Sequence, residues 1–232
     1  MKRLIALDLD GTLAALGQPI PTPFLEKLSQ WEQAGHTIAL CSGKPVYYLC
    51  GLLRQCALQK PAMIGENGAV WQLGVDLPPK HYGQLPLSPA AQAGLEHLKK
   101  ELGLALPHLW YQTNQVCLTP FPATAADFTA IEALLAKEKP DTLDLRVYRH
   151  NDSFDICPSN VNKGAGLLAL CQALKLSPRA TVAVGDGEND LPMFGQAAVS
   201  VGIGLKDPGA VTKNCPTPWD ALCYVDARLR EG

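Results

Sequence analysis

The chain has 232 residues, of which 47% are hydrophobic and 18% charged, a globular composition well outside the disordered range. This length suits one domain, or a core with a smaller insert. Twenty Lys and Arg stand against 22 Asp and Glu, for a net charge of −2, which argues against a nucleic-acid binder held by phosphate electrostatics. No window approaches the roughly 18 consecutive apolar residues of a membrane span. Asp8 and Asp10 interrupt the first apolar stretch too early for a secretory signal. The expectation is a cytoplasmic protein with no membrane partner.

Residues 4–9 (LIALDL) predict a strand buried on both faces, ending in a D-G-T turn. Residues 22–34 carry Phe24, Leu25, Leu28 and Trp31 at helical spacing, with Thr22 as a cap, Pro23 at the first helical position and Gly35 as a stop. Residues 37–41 (TIALC) predict a second strand that ends in a Ser-Gly turn, and residues 47–56 a helix. Short strands at 62–64 and 69–73 flank a turn at Glu66-Asn67-Gly68. Pro78, Pro79, Pro86 and Pro89 then read as a linker. Beyond it the pattern changes to a helix at 88–102, a hairpin of 108–111 with 116–119, a helix at 124–137 and a hairpin of 143–150 with 153–157. Strand and helix alternation resumes with a helix at 165–176, a strand at 181–184, a loop at 185–190, a helix at 191–197 and a strand at 199–201. The tail from Lys206 holds a short helix from about Trp219. The expected architecture is an α/β core with a Rossmann-like parallel sheet (residues 1–79 and 158–232), interrupted by an αββαββ insert of α+β type (residues 80–157). The eight cysteines form no C-x-x-C and have no zinc spacing with His, so they are expected as reduced core residues.

Four polar pieces each follow an apolar strand or open a helix, and parallel sheets gather such pieces beyond the carboxyl ends of their strands. Asp8 and Asp10 leave a strand end on the same side; close carboxylates repel unless a cation lies between them, which points to a divalent metal with hard oxygen ligands. Ser42 and Gly43 offer a hydroxyl and backbone N–H groups suited to phosphate, although on this piece alone an ordinary turn before a helix is the simpler reading. Lys163 opens a helix, where its charge opposes the macrodipole and calls for an anion, unless it is simply solvated. Gly185-Asp186-Gly187-Glu188-Asn189-Asp190 packs three acids and an Asn behind a buried strand, without the spacing of an EF-hand or a dinucleotide loop.

D-x-D-G-T, S-G, a helix-opening Lys and G-D-G-x-N-D, in this order, resemble the haloacid dehalogenase superfamily along the whole chain. The insert, the run Asp155-Ile156-Cys157-Pro158 leading to Lys163-Gly164, and Glu66-Asn67-Gly68-Ala69 are similar to the subgroup with an open-faced α/β cap, which contains Mg²⁺-dependent sugar-phosphate and phosphoglycolate phosphatases. The resemblance implies a hydrolase of phosphoric monoesters, acting on a small phosphorylated metabolite through an aspartyl-phosphate. It implies Asp8 as nucleophile and Asp10 as general acid and base. Asp8, Asp186 and the backbone carbonyl of Asp10 would hold Mg²⁺, with Asp190 as a further ligand or as the holder of a metal-bound water. Ser42 and Lys163 would bind the phosphoryl oxygens, helped by the Gly11 and Gly43 amides, with Asn189 orienting the phosphate or Ser42. The phosphate would be the anion that compensates Lys163. Strand alternation puts Leu143, Leu145 and Val147 against the cap helices and Asp144, Arg146, Tyr148 and His150 on the open face, with Ser153 and Asp155 beside them. Arg146, Tyr148 and Asp155, with Asn67, are the expected specificity residues. A mutase of the phosphomannomutase type would use the same motifs, and a non-enzymatic phosphate-binding regulator is disfavoured because both Asp8 and Asp10 are present. A monomer or homodimer is expected.

Overall fold

A computed structural model describes residues 2–230 and places them in two compact units. In chain order, the first part of the larger unit contributes β1 (Leu4–Leu7), α1 (Thr22–Gln33), β2 (Thr37–Cys41), α2 (Val46–Gln55), β3 (Ala62–Gly65), β4 (Val70–Leu73) and β5 (His81–Gln84). The insert contributes α3 (Pro89–Ala105), β6 (Trp110–Tyr111), β7 (Pro120–Phe121), α4 (Ala125–Glu138), β8 (Leu145–Arg149) and β9 (Phe154–Pro158). The larger unit resumes with α5 (Lys163–Leu174), β10 (Thr181–Gly185), α6 (Leu191–Phe194), β11 (Val199–Ile203), β12 (Lys213–Cys215) and α7 (Pro218–Arg230).

The larger unit is built on an eight-stranded sheet in the order β12-β11-β10-β1-β2-β3-β4-β5. The strands from β12 to β3 run parallel, and β4 and β5 are antiparallel additions at one edge. All four residues of β1 and all five of β10 are buried, as expected of continuous apolar strands covered on both faces. One face packs Leu4, Ala6, Ala39, Cys41, Ala62 and Ile64 against Leu167, Leu170 and Cys171 of α5 and Met193 and Phe194 of α6. Six of the eight cysteines are buried, Cys56 is partly so and Cys223 is exposed; all are free thiols.

Several elements differ from the reading of the sequence. α1 starts one residue after Pro21, so Thr22 is inside the helix and no side chain caps it. The proline-rich stretch holds β5, which pairs with β4 from Leu73↔His81 to Val70↔Gln84; a strand at a sheet edge tolerates flanking prolines. β12 is a second unread strand, in a short Lys-Asn-Cys stretch without alternation. α7 is a full helix of 13 residues rather than a short one.

The insert runs Leu85–Val161, where the sequence reading began it at 80 and ended it at 157. Residues 81–84 lie in the main sheet through β5, while Ser159 and Asn160 bond within the insert, to Asp144 and to the Pro86 carbonyl (2.9 Å). Its core joins Ala91, Leu98 and Leu102 of α3 with Ile131 and Leu135 of α4 and Leu145, Phe154 and Ile156 of the strands. β6 and β7 pair over only two residues each, and Leu118 bridges to Ile156. β8 begins at Leu145, because Pro140–Leu143 forms a 3-10 turn and Asp144 takes a left-handed conformation (φ 58°).

Candidate active site

Three neighbouring strands, β10, β1 and β2, deliver the polar pieces at their carboxyl ends. Asp8 follows β1 directly, and its backbone N–H donates to the Val184 carbonyl of β10 (2.9 Å). Asp186 and Asp190 follow β10, and Ser42 follows β2. The loop after β10 closes on its own acid: the Asp190 carboxylate accepts from the backbone N–H of Asp186 (3.0 Å) and Gly187 (2.9 Å). Gly11 has φ +89° and lies so close to the Asp186 carboxylate that a Cβ there would collide with it. Thr12 donates its hydroxyl to Asp186 Oδ1 (3.0 Å) and so orients that carboxylate.

Carboxylate oxygens of Asp8, Asp186 and Asp190 lie within 4.8 Å of one another. Lys163, the first residue of α5, reaches this cluster and donates to Asp8 Oδ1 (2.8 Å) and Asp190 Oδ1 (2.6 Å). The side chain is only 1% exposed. Its helix is capped by Asn162, whose side chain accepts from the Ala165 N–H (3.0 Å). The anions that compensate Lys163 in this structure are thus two carboxylates of the protein. Burial opposes the Lys163 charge, but Asp190 and Asp8 outweigh it and hold the ammonium above its ordinary range. Burial pushes the Asp8 carboxyl up against the pull of Lys163, and pushes Asp190 up to about 6. Asp186 is raised by burial too, with Thr12 working in the opposite direction.

The Glu66–Gly68 turn joins the other pieces. The backbone N–H of Glu66 donates to the Lys44 carbonyl (3.0 Å), and that of Asn67 to the Ser42 carbonyl (3.1 Å). The Asn67 side chain accepts from Asn189 (3.3 Å). Gly68, at φ +109°, lies against the Asn162 carbonyl so closely that no side chain would fit. Glu66 and Asn67 both hold φ above +50°, a conformation that costs most residues energy. The Ser42 hydroxyl accepts from the Lys44 N–H (3.2 Å), and the Lys44 ammonium lies 3.9 Å from Asp10 Oδ2.

Asp8, Asp186, Asp190 and Lys163 therefore meet directly, and Asn67 and Asn189 meet each other. Gly11 is drawn in through Asp186, while Ser42 and Gly43 stand in the turn after β2. Thr12 lies inside the D-G-T turn and Lys44 directly follows Ser42-Gly43, and that position is the signal that finds them. In the insert, Arg146 is exposed and Tyr148 partly buried on β8. Asp155 is 5% exposed, because Thr119 (2.7 Å) and His150 (3.0 Å) engage its two oxygens. The expected open-face Asp144 instead takes the hydroxyls of Ser88 and Ser159.

The family model of haloacid dehalogenase-like hydrolases matches residues 5–74 and 108–214. A phosphoglycolate phosphatase of Methanoculleus marisnigri is 26% identical over 211 residues, spanning 88% of this chain and 84% of that protein. Among solved structures, a haloacid dehalogenase-like hydrolase from Bacteroides thetaiotaomicron superposes with TM-score 0.77 at 19% identity, covering 99% of this chain and 100% of that one. The C-terminal domain of trehalose-6-phosphate phosphatase from C. albicans gives TM-score 0.72 at 16% identity, covering 97% and 92%.

Proposed function

This chain belongs to the haloacid dehalogenase-like hydrolases, and on that premise we propose that it is a Mg²⁺-dependent phosphatase releasing phosphate from a small phosphorylated metabolite through an aspartyl-phosphate on Asp8. The observation that carries this reading is the cluster of Asp8, Asp186 and Asp190 around Lys163. Three carboxylates, of which Asp8 and Asp190 are buried, against one ammonium leave two negative charges, and hard oxygen donors with that excess fit a divalent cation. Asp8, Asp186 and Asp190 would hold it, with the Asp10 carbonyl as the resemblance implies. When bound, Mg²⁺ supplies a positive charge that polarises the phosphoryl oxygens.

The protein's own groups do the rest. Asp8 attacks phosphorus while the bond from phosphorus to the ester oxygen breaks. Asp10 passes its proton to the leaving alkoxide, which departs as an alcohol. Asp10 then takes a proton from water, whose oxygen attacks the phosphoryl group and frees Asp8. Lys163 and the amides of Gly11 and Gly43 stabilise charge on the equatorial oxygens, with the Ser42 hydroxyl as a further donor. The substrate class rests on the relatives: one acts on phosphoglycolate by name and another on a disaccharide phosphate. Arg146 and Tyr148 are proposed to choose among such substrates, and Arg146→Ala is expected to lower kcat/KM on the best one; an unchanged value removes Arg146 from that role.

The test is phosphate release from a panel of phosphorylated metabolites, with Mg²⁺ or with EDTA, beside Asp8→Asn. Release should need both the metal and Asp8. A panel without any release, from protein shown to be folded, would overturn the reading.

A further inference from the structure

We propose that Lys44 is a positioning residue that holds the Asp10 side chain for proton transfer to the leaving group. The inference rests on the phosphatase reading and extends it to a residue outside the four motif roles.

Asp8 and Asp10 are the same residue type two positions apart, yet they must do different work. The structure separates them by giving each its own cation. Asp8 Oδ1 accepts from Lys163, inside the carboxylate cluster. Asp10 Oδ2 lies 3.9 Å from the Lys44 ammonium. That is too long for a direct hydrogen bond but close enough for attraction between charges. The two side chains keep only 25% and 27% of their exposure, so the pair is more shielded than an ordinary surface ion pair.

The backbone of Lys44 is held from both sides. Its N–H donates to the Ser42 hydroxyl, and its carbonyl accepts from the Glu66 N–H. A Cβ on Gly65 would come within 2.8 Å of that same carbonyl, so the chain is pressed against it. The partner turn is the one in which Glu66 and Asn67 hold left-handed backbone at φ +52° and +54°. Strained backbone of this kind persists only where surrounding contacts enforce it, and two of those contacts end on Ser42 and Lys44. Helix stability offers no reason for the lysine, since it stands just before α2, where a positive charge opposes the macrodipole. Its place is explained by Asp10.

The test compares Lys44→Met and Lys44→Arg with the unaltered protein on two esters, in Mg²⁺. One is the best alkyl phosphate of the panel, whose alkoxide needs a proton to leave. The other is p-nitrophenyl phosphate, whose phenolate leaves without one. General acid catalysis is worth about 10²–10⁴-fold, and a displaced acid should forfeit part of it. Lys44→Met should lower kcat/KM on the alkyl ester by about 10–100-fold and on p-nitrophenyl phosphate far less, with Lys44→Arg restoring most of the loss. Retained aryl turnover also shows that the variant is folded. Inhibition by inorganic phosphate should not change. Equal losses on both esters, no loss on either, or weakened phosphate inhibition would overturn the proposal, the last by making Lys44 a phosphate ligand. Turnover by the unaltered protein without a leaving-group effect would sink the role of Lys44 alone, whereas absence of any turnover would sink the phosphatase reading as well.

Discussion

A buried ammonium is stable only beside compensating charge, and Lys163 has two carboxylates within hydrogen-bonding distance. The cost falls on the acids, because three carboxylates share one cation. Burial holds the Asp190 carboxyl at about 6, against an ordinary value of about 3.9. Between these values the folded chain keeps a proton that the unfolded chain has released. Stability of the metal-free protein contributed by this group is therefore present at low pH and is lost as pH rises through about 4 to 6. A divalent cation competes with that proton. The rise in Tm on replacing EDTA with Mg²⁺ should accordingly be larger at pH 7 than at pH 5, as read by calorimetry. Equal rises at both pH values would mean that the metal does not bind at these carboxylates. At this scale the sequence marked each acid and the lysine by type and position. The resemblance assigned a phosphate to compensate Lys163, whereas the structure places two carboxylates there, because that pairing depends on a contact across 155 residues.

Among the elements, the insert shows how local polar chemistry competes with pairing. The stretch expected as a strand at 116–119 pairs little, because its neighbours bond among themselves. The Asn114 N–H donates to the Gln112 carbonyl (2.9 Å), and the Asn114 side chain donates to Thr119, which in turn holds Asp155. Apart from the bridge of Leu118 to Ile156, the named strand starts at Pro120. α4, by contrast, was legible from its apolar face and starts where its cap dictates. Thr124 and Asp127 form a capping box, with the Asp127 N–H on the Thr124 hydroxyl (3.2 Å) and the Thr124 N–H on the Asp127 carboxylate (3.0 Å). Thr124→Ala should destabilise the protein by about 1 kcal/mol in a denaturant titration. Burial raises the Asp127 carboxyl, but its hydrogen bonds from Thr124, His108 and Ala123 win and hold it below the usual carboxylate range. Its contribution is therefore present above about pH 4 and lost as pH falls through the lowered value. The effect of Thr124→Ala should shrink in that acid range; an effect independent of pH would deny Asp127 its share of the cap.

For the whole molecule, β1 lies between β10 and β2, so the strands that carry the acids, Ser42 and Gly43 stand inside the sheet, away from its edges. Their amides should exchange with deuterium more slowly than those of β5 and β12 at the sheet edges, as read by mass spectrometry. Faster exchange in β1 than in β5 would contradict this order. By itself the sequence determined the parallel core and which residue types stand in the motifs, because continuous apolar runs have few ways to be buried and clustered acids call for compensating charge. Only the tertiary structure decided that Lys163 stands between Asp8 and Asp190, that the Glu66–Gly68 turn grips Ser42 and Lys44, and that Asp155 is engaged by its own unit. These are contacts between segments far apart in the chain. Residue type and spacing say which groups need a partner, and packing selects which partner each one meets.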